Sequence, residues 1–170
     1  MDALEAIFSR RSCRAYTDLP VAPELVEQLL RAGMASPTAC NQRPWHFVVV
    51  DDRQMLDRVS DVQGYAPMLK TAPLAIVICS DGGQAALSAP FWPQDCAAAA
   101  QNMLIAARAL GLGAVWLGLY PDAARVAGLR ELLGMPETMT PFCVISLGHP
   151  AKAPRPIDRY EPDRVHRNRW

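Results

Sequence analysis

Apolar positions along this 170-residue chain recur at two periods. Leu4, Ile7 and Phe8 share one face of a helix predicted over Ala3–Arg10. Leu25, Val26, Leu29, Leu30 and Met34 repeat the helical spacing over Pro23–Ala35. Pro23 suits the first turn of that helix, and Ser36-Pro37 ends it because a residue before proline avoids the helical region. Gln54–Val62 and Asp122–Leu133 read as two more helices, the second closed by Gly134. Pro93–Leu110 is the longest, is rich in alanine and has Gly111 placed as its C-cap. It is apolar around much of its circumference, which predicts a central position. Short apolar runs at Phe47–Val50, Leu74–Cys79, Ala114–Leu119 and Phe142–Leu147 read as strands, bounded by Asp, Gly and Pro clusters. Four strands and five helices mixed along one chain predict an α+β fold.

Periodicity stops at Gly148-His149-Pro150. The segment beyond carries Pro150, Pro154, Pro156 and Pro162 and reads as extended. It also carries Ile157, Tyr160, Val165 and Trp170, with no local core to receive them. Two readings stay open: the tail packs on a partner subunit, or it is disordered.

Composition narrows the class. With 51% apolar residues, a chain of this length can bury one sizeable core. The formal net charge is zero, which excludes a uniformly basic nucleic-acid surface. The charge is uneven, however: Arg10, Arg11 and Arg14 cluster near the start, and Lys152, Arg155, Arg159, Arg164, Arg167 and Arg169 crowd the end. Local anion sites follow from that pattern. No uninterrupted apolar stretch is long enough for a membrane span, and the acidic start lacks the order of a signal peptide, so a cytoplasmic protein is expected. The five cysteines include no C-x-x-C pair, which argues against a disulfide framework or a zinc site. Cys79 and Cys143 read as core residues, and Cys40 as a small buried thiol, with a reactive thiol as the alternative.

No nucleophile elbow, phosphate loop or metal-spaced histidine set is present. Gly111-Leu112-Gly113 follows a helix and precedes a strand, the reverse of a dinucleotide turn. A chain without an evident acid, base or metal either borrows a cofactor or is not an enzyme. Four segments carry candidate chemistry. Arg10-Arg11-Ser12-Cys13-Arg14 offers guanidiniums and a hydroxyl to a phosphate, and Arg10 and Arg14 share a face if the helix continues; the alternative is a solvated basic helix end. Ser36–Trp45 is a proline-stiffened loop with polar Thr38, Asn41 and Gln42, able to edge a planar ring or simply to connect helix and strand. The strand ending at Gly118 lets backbone approach a ligand. Arg155–Tyr160 is a second candidate phosphate contact.

Together these segments resemble the nitroreductase family, in its short subgroup, over essentially the whole chain. The marks are RRSCR at 10–14, SPTACNQRPWHF at 36–47, the alanine-rich helix with Asp95 and Gln101-Asn102, GLGAVWLGLYP at 111–121, and the tail from LGHP through DRY and VH to the last tryptophan. The resemblance implies a mixed, mainly antiparallel sheet flanked by helices. Residues 1–150 would form one FMN-binding domain, and residues 151–170 an extension exchanged with the partner of a homodimer. It implies FMN at the dimer interface: Arg10, Arg11, Ser12 and Arg159 at the phosphate, Arg14 at the pyrimidine edge, Leu117 and Gly118 presenting backbone at N5 and O4, and Pro37, Thr38, Ala39 and Asn41 lining the ring from the other subunit. Hydride from NAD(P)H would reach a nitroaromatic, quinone or other small acceptor by a ping-pong route centred on flavin N5, without a side-chain catalyst or a metal. Arg43 and Ile157 depart from residues common in the family. The lid of longer members is reduced to about Gly83–Trp92, with Tyr65, Phe91 and Trp92 as wall or core residues. A non-catalytic flavin-binding protein, or a relative with a different reductive reaction, stays open at this level.

Overall fold

A computed structural model describes residues 1–82, 89–153 and 157–170. Among the described residues, five α-helices and four strands follow one another in chain order: α1 (Ala3–Ser9), α2 (Pro23–Met34), β1 (Trp45–Val50), α3 (Arg53–Gln63), β2 (Leu74–Ser80), α4 (Trp92–Ala109), β3 (Gly113–Gly118), α5 (Ala123–Leu132) and β4 (Thr140–Gly148). Each falls within a residue or two of its sequence-predicted range. The sheet runs β1-β2-β4-β3 with every neighbouring pair antiparallel. Its parallel component is one bridge, Ser12 to Ala114, outside the named strands.

Alternation along the two central strands sorts the core into two layers, since successive side chains point to opposite faces. Leu74, Ile76 and Ile78 of β2 join Cys143, Ile145 and Leu147 of β4 against Leu29 of α2 and Met103 and Ala107 of α4. Ala75, Val77 and Val144 face the other way, onto Leu56 and Val59 of α3 and Leu129 of α5. Both central strands are buried on both faces, so they read as continuous apolar runs. Helix α4 lies against α1, α2 and the sheet, as its apolar circumference predicts. Gly111 (φ +78°) closes it, with Leu112 N–H reaching back to the Ala107 carbonyl at 2.8 Å. Among the described residues, no helix is long and apolar enough to cross a membrane.

All five cysteines are free thiols. Cys79, Cys96 and Cys143 are buried, and burial pushes their pKa up, to about 11 for Cys79, to about 12 for Cys96 and well above the usual value for Cys143. Cys40 is exposed, which corrects the buried placement expected for it. The raised thiols make an alkaline stability loss calculable in sign. The unfolded chain ionises them from about pH 9, whereas the native chain keeps its protons until roughly two units higher or more. Stability from this source is complete below pH 9 and drains as pH climbs toward 12. Urea unfolding under reductant is expected to lose roughly 2 kcal/mol per buried thiol between pH 7.5 and 10.5. A midpoint that stays constant across that range contradicts these burials.

Candidate functional site

Helix α1 begins at an Asp2 cap, whose carboxylate accepts from Glu5 N–H at 2.9 Å, and stops at Ser9. Arg10 is already extended (φ −61°, ψ 129°), so Arg10 and Arg14 do not share a helix face as the continued helix would require. The chain runs instead along the open edge of β3. Cys13 N–H donates to the Ala114 carbonyl at 2.9 Å, and the Tyr16 hydroxyl shares its hydrogen between the carbonyls of Cys13 (2.8 Å) and Ser146 (3.2 Å). Edge pairing wins because an unpaired strand edge offers partners that a lengthened helix, ringed with like charges, does not. Gly113 permits the close approach: a Cβ there would sit 2.6 Å from Cys13 Sγ and 2.8 Å from its Cβ.

Between this segment, the end of α4 and residues 150–153 lies a cavity of about 370 Å³, with Arg10, Arg11, Ser12, Arg14, Arg108 and Lys152 on its walls. A second cavity of about 710 Å³ adjoins it, shares Arg10, Arg11 and Ile157, and adds Asp158, Arg159 and Tyr160. Arg11 is the strut between them. It donates to the carbonyls of Phe8 (2.9 Å) and Arg10 (2.6 Å), and across 146 positions to that of Ile157 (2.9 Å), which ties the tail to the end of α1. Burial, then Arg11, then Arg159 lower the pKa of Arg10. Among the described residues, neither Arg10 nor Arg159 has an ion pair. Asp158 is on the wall, but its carboxylate accepts from Tyr160 N–H at 3.0 Å. Like charges gathered here, with no ion pair to Arg10 or Arg159 among the described residues, fit a polyanion, which removes their mutual repulsion and takes several charge-assisted bonds.

The structure thus brings Arg10, Arg11, Ser12, Arg14 and Arg159 together within one chain. Leu117 and Gly118 lie at the opposite end of β3 from Ala114, outside both cavities. Pro37, Thr38, Ala39 and Asn41 form a separate loop, also outside them. That loop is braced rather than slack. The buried Asp95 carboxylate, in the first turn of α4, accepts from Ala39 N–H at 2.9 Å, and Thr38 Oγ1 accepts from Arg43 N–H at 3.1 Å. Cys40, Asn41 and Arg43 all have φ near +50°, which turns Cys40 outward. Trp45 anchors the loop in the core.

Of the wall candidates, Trp92 is half-buried and meets Tyr120 and Phe142 edge-on at 4.8 and 5.9 Å, while Phe91 is exposed. Tyr65 is exposed with Arg125 over its ring at 5.0 Å. The reduced lid falls mostly on residues 83–88, and Arg155 on 154–156; both lie outside the described residues. Sequence reasoning missed Arg108, and also Gln63, whose Nε2 donates to the Gly118 carbonyl at 2.5 Å. Arg108 looked like any helix-end cation, though its Nε donates to Ser9 Oγ at 2.8 Å.

The family model for the nitroreductase family matches residues 7–64 and 53–149. The chain belongs to this family and is an oxidoreductase. It is 49% identical over 170 residues to a Methanothermobacter thermautotrophicus protein named "Putative NADH dehydrogenase/NAD(P)H nitroreductase", covering 100% of this chain and 88% of that one. A Parabacteroides distasonis crystal structure under the same name superposes with a TM-score of 0.93 at 41% identity, over 99% of this chain and 98% of that one. An FMN-dependent nitroreductase from Clostridium difficile R20291 superposes with a TM-score of 0.90 at 30% identity, over 98% and 99%.

Proposed function

We propose that this protein is an FMN-dependent oxidoreductase that moves electrons from NAD(P)H to a small acceptor, a nitroaromatic or quinone among them. The observation that carries it is the cluster of Arg10, Arg11 and Arg159 at the joined cavities, with no ion pair to Arg10 or Arg159 among the described residues. A phosphate monoester dianion fits that charge. Bound there, FMN supplies the redox centre for hydride transfer, one substrate replacing the other in ping-pong order.

The remaining roles belong to the chain. Arg10, Arg11, Ser12 and Arg159 bind the phosphate. Arg14 places positive charge at the pyrimidine edge, where it favours negative charge on the ring. Leu117 and Gly118 offer backbone to the ring edge, and a Cβ on Gly118 would meet nothing within 4 Å, so that face is open to a ligand. No acid or base is required of a side chain.

The single chain leaves two apolar surfaces uncovered. Leu4 and Phe8 of α1 are 63% and 68% exposed, and every described residue of 157–170 is exposed, Trp170 fully. A homodimer with exchanged 151–170 extensions covers both, and brings the partner's copy of the 37–41 loop to the ring. This unites site residues that one chain keeps apart, and it extends the 1–150 domain of one subunit with the tail of the other.

The experiment is anaerobic titration of the purified protein. It is expected to be yellow, to release FMN on denaturation and to bleach with NAD(P)H. Protein that stays colourless after incubation with FMN refutes the cofactor; yellow protein that NAD(P)H never bleaches favours a flavin-binding module instead.

A further inference from the structure

Helix α4 carries a cation in its last turn, Arg108. Such a residue ordinarily reaches into solvent and complements the helix dipole. Arg108 is instead half-buried and bonded to the end of α1, where its Nε donates to Ser9 Oγ at 2.8 Å. The Ser9 hydroxyl gives its own hydrogen to the Glu5 carbonyl at 2.6 Å, which leaves its lone pairs to accept. The guanidinium is therefore anchored through its inner nitrogen.

That anchor is a neutral hydroxyl, so it leaves the positive charge uncompensated. The two terminal nitrogens, which carry the rest of the N–H donors, have no hydrogen-bond or ion-pair partner among the described residues. Arg108 stands on the wall of the cavity of about 370 Å³ with Arg10, Arg11, Ser12, Arg14 and Lys152. No aspartate or glutamate is among the described residues that line it. Apolar Leu104, Leu112 and Ala114 share those walls. They lower the local dielectric, which strengthens both the repulsion among the cations and their grip on an anion. A guanidinium held at one edge and open at the other is a fork suited to a phosphate.

We infer that Arg108 is a further phosphate-binding residue: anchored by Ser9 through Nε, it offers its terminal nitrogens to the phosphate monoester of FMN. This rests on the proposed FMN function, and it extends the phosphate cluster from the Arg10–Arg14 segment and the tail to the end of α4. The bond to Ser9 also tethers α1 to α4, so a purely structural role has to be separated from a binding one. Changing the ligand does this. Riboflavin is FMN without the phosphate: a residue that meets the phosphate affects FMN alone, whereas a tether affects both flavins.

The test titrates flavin-stripped wild type, Arg108→Met and Arg108→Lys with FMN and with riboflavin. Arg108→Met keeps an unbranched stem and loses the fork. It is expected to bind FMN about tenfold more weakly, the low end for a hydrogen bond to a charged group, and riboflavin within about twofold of wild type. Arg108→Lys keeps the charge without the fork; it is expected to lose about threefold for FMN alone, and it is read in the same way if the methionine variant does not fold. Unchanged FMN affinity in Arg108→Met, or an equal loss for both flavins, overturns the inference while the FMN function stands. Wild-type protein that binds no FMN overturns both.

Discussion

Arg10→Ala protein is expected to emerge from purification colourless, with FMN bound about a hundredfold more weakly than by wild type. Arg10 stands in the cluster with Arg11 and Arg159, in a half-buried place where burial and both neighbours already resist its charge. A hydrogen bond to a charged group contributes about 1.5–3 kcal/mol, and a guanidinium meeting a phosphate makes two in parallel. The lower part of that range gives the hundredfold figure, since each 1.4 kcal/mol is a factor of ten. The second half of the expectation separates a binding role from a structural one. Without a bound anion, Arg10 repels its neighbours, so its loss relieves strain in the free chain. The melting temperature of flavin-free Arg10→Ala should equal or exceed that of flavin-free wild type. Arg10→Lys keeps charge but loses the fork, and should fall between. Equilibrium dialysis with FMN and thermal melts of stripped protein check both halves. Full affinity in Arg10→Ala removes Arg10 from the site; a large drop in the stripped melting temperature makes it a structural residue.

The elements most legible in the sequence were those whose environment is uniform. The runs in β2 and β4 are buried on both faces, so hydrophobicity alone marks them. Gly111 and Gly134 close α4 and α5 through backbone conformations that only a few residues tolerate, and their positions were readable for that reason. The Arg10–Arg14 segment was legible as chemistry but not as geometry. A helical pattern gives no hint that the chain will leave the helix and pair with an edge a hundred positions away. Cys40 was misplaced because cysteine is usually buried, whereas a run of positive φ values lifts this one outward. Gln63 was invisible: its partner is a backbone carbonyl 55 positions on, and no residue type announces such a bond.

If the protein is the homodimer proposed above, ending the chain after Ala153 is expected to weaken that dimer at least a hundredfold and to strip FMN as well. The cut spares the Ala151 N–H bond to the Ala15 carbonyl, so the edge segment keeps its local support. It removes Ile157, Tyr160, Val165 and Trp170, each at least half exposed on the single chain. Fully covering such side chains contributes about 1.5–3 kcal/mol each, against a backbone ordering cost of about 1–2 kcal/mol per residue for whatever part of the tail is free in the monomer. The tail is partly ordered beforehand by Arg11 on the Ile157 carbonyl and by the stacking of His166 on Trp170 at 4.2 Å, which lowers that cost. Aromatic anchors usually dominate such balances, so a net loss of about 3 kcal/mol, or a hundredfold, is the minimum expected. Two point variants divide the effects. Tyr160→Ala with Trp170→Ala leaves Arg159 in place and should dissociate the dimer first. Arg159→Ala should leave the dimer whole in sedimentation and loosen FMN. If the truncated chain sediments as a dimer at nanomolar concentration, the tail is not exchanged, and the apolar face of α1 or the 37–41 loop must carry the association without it.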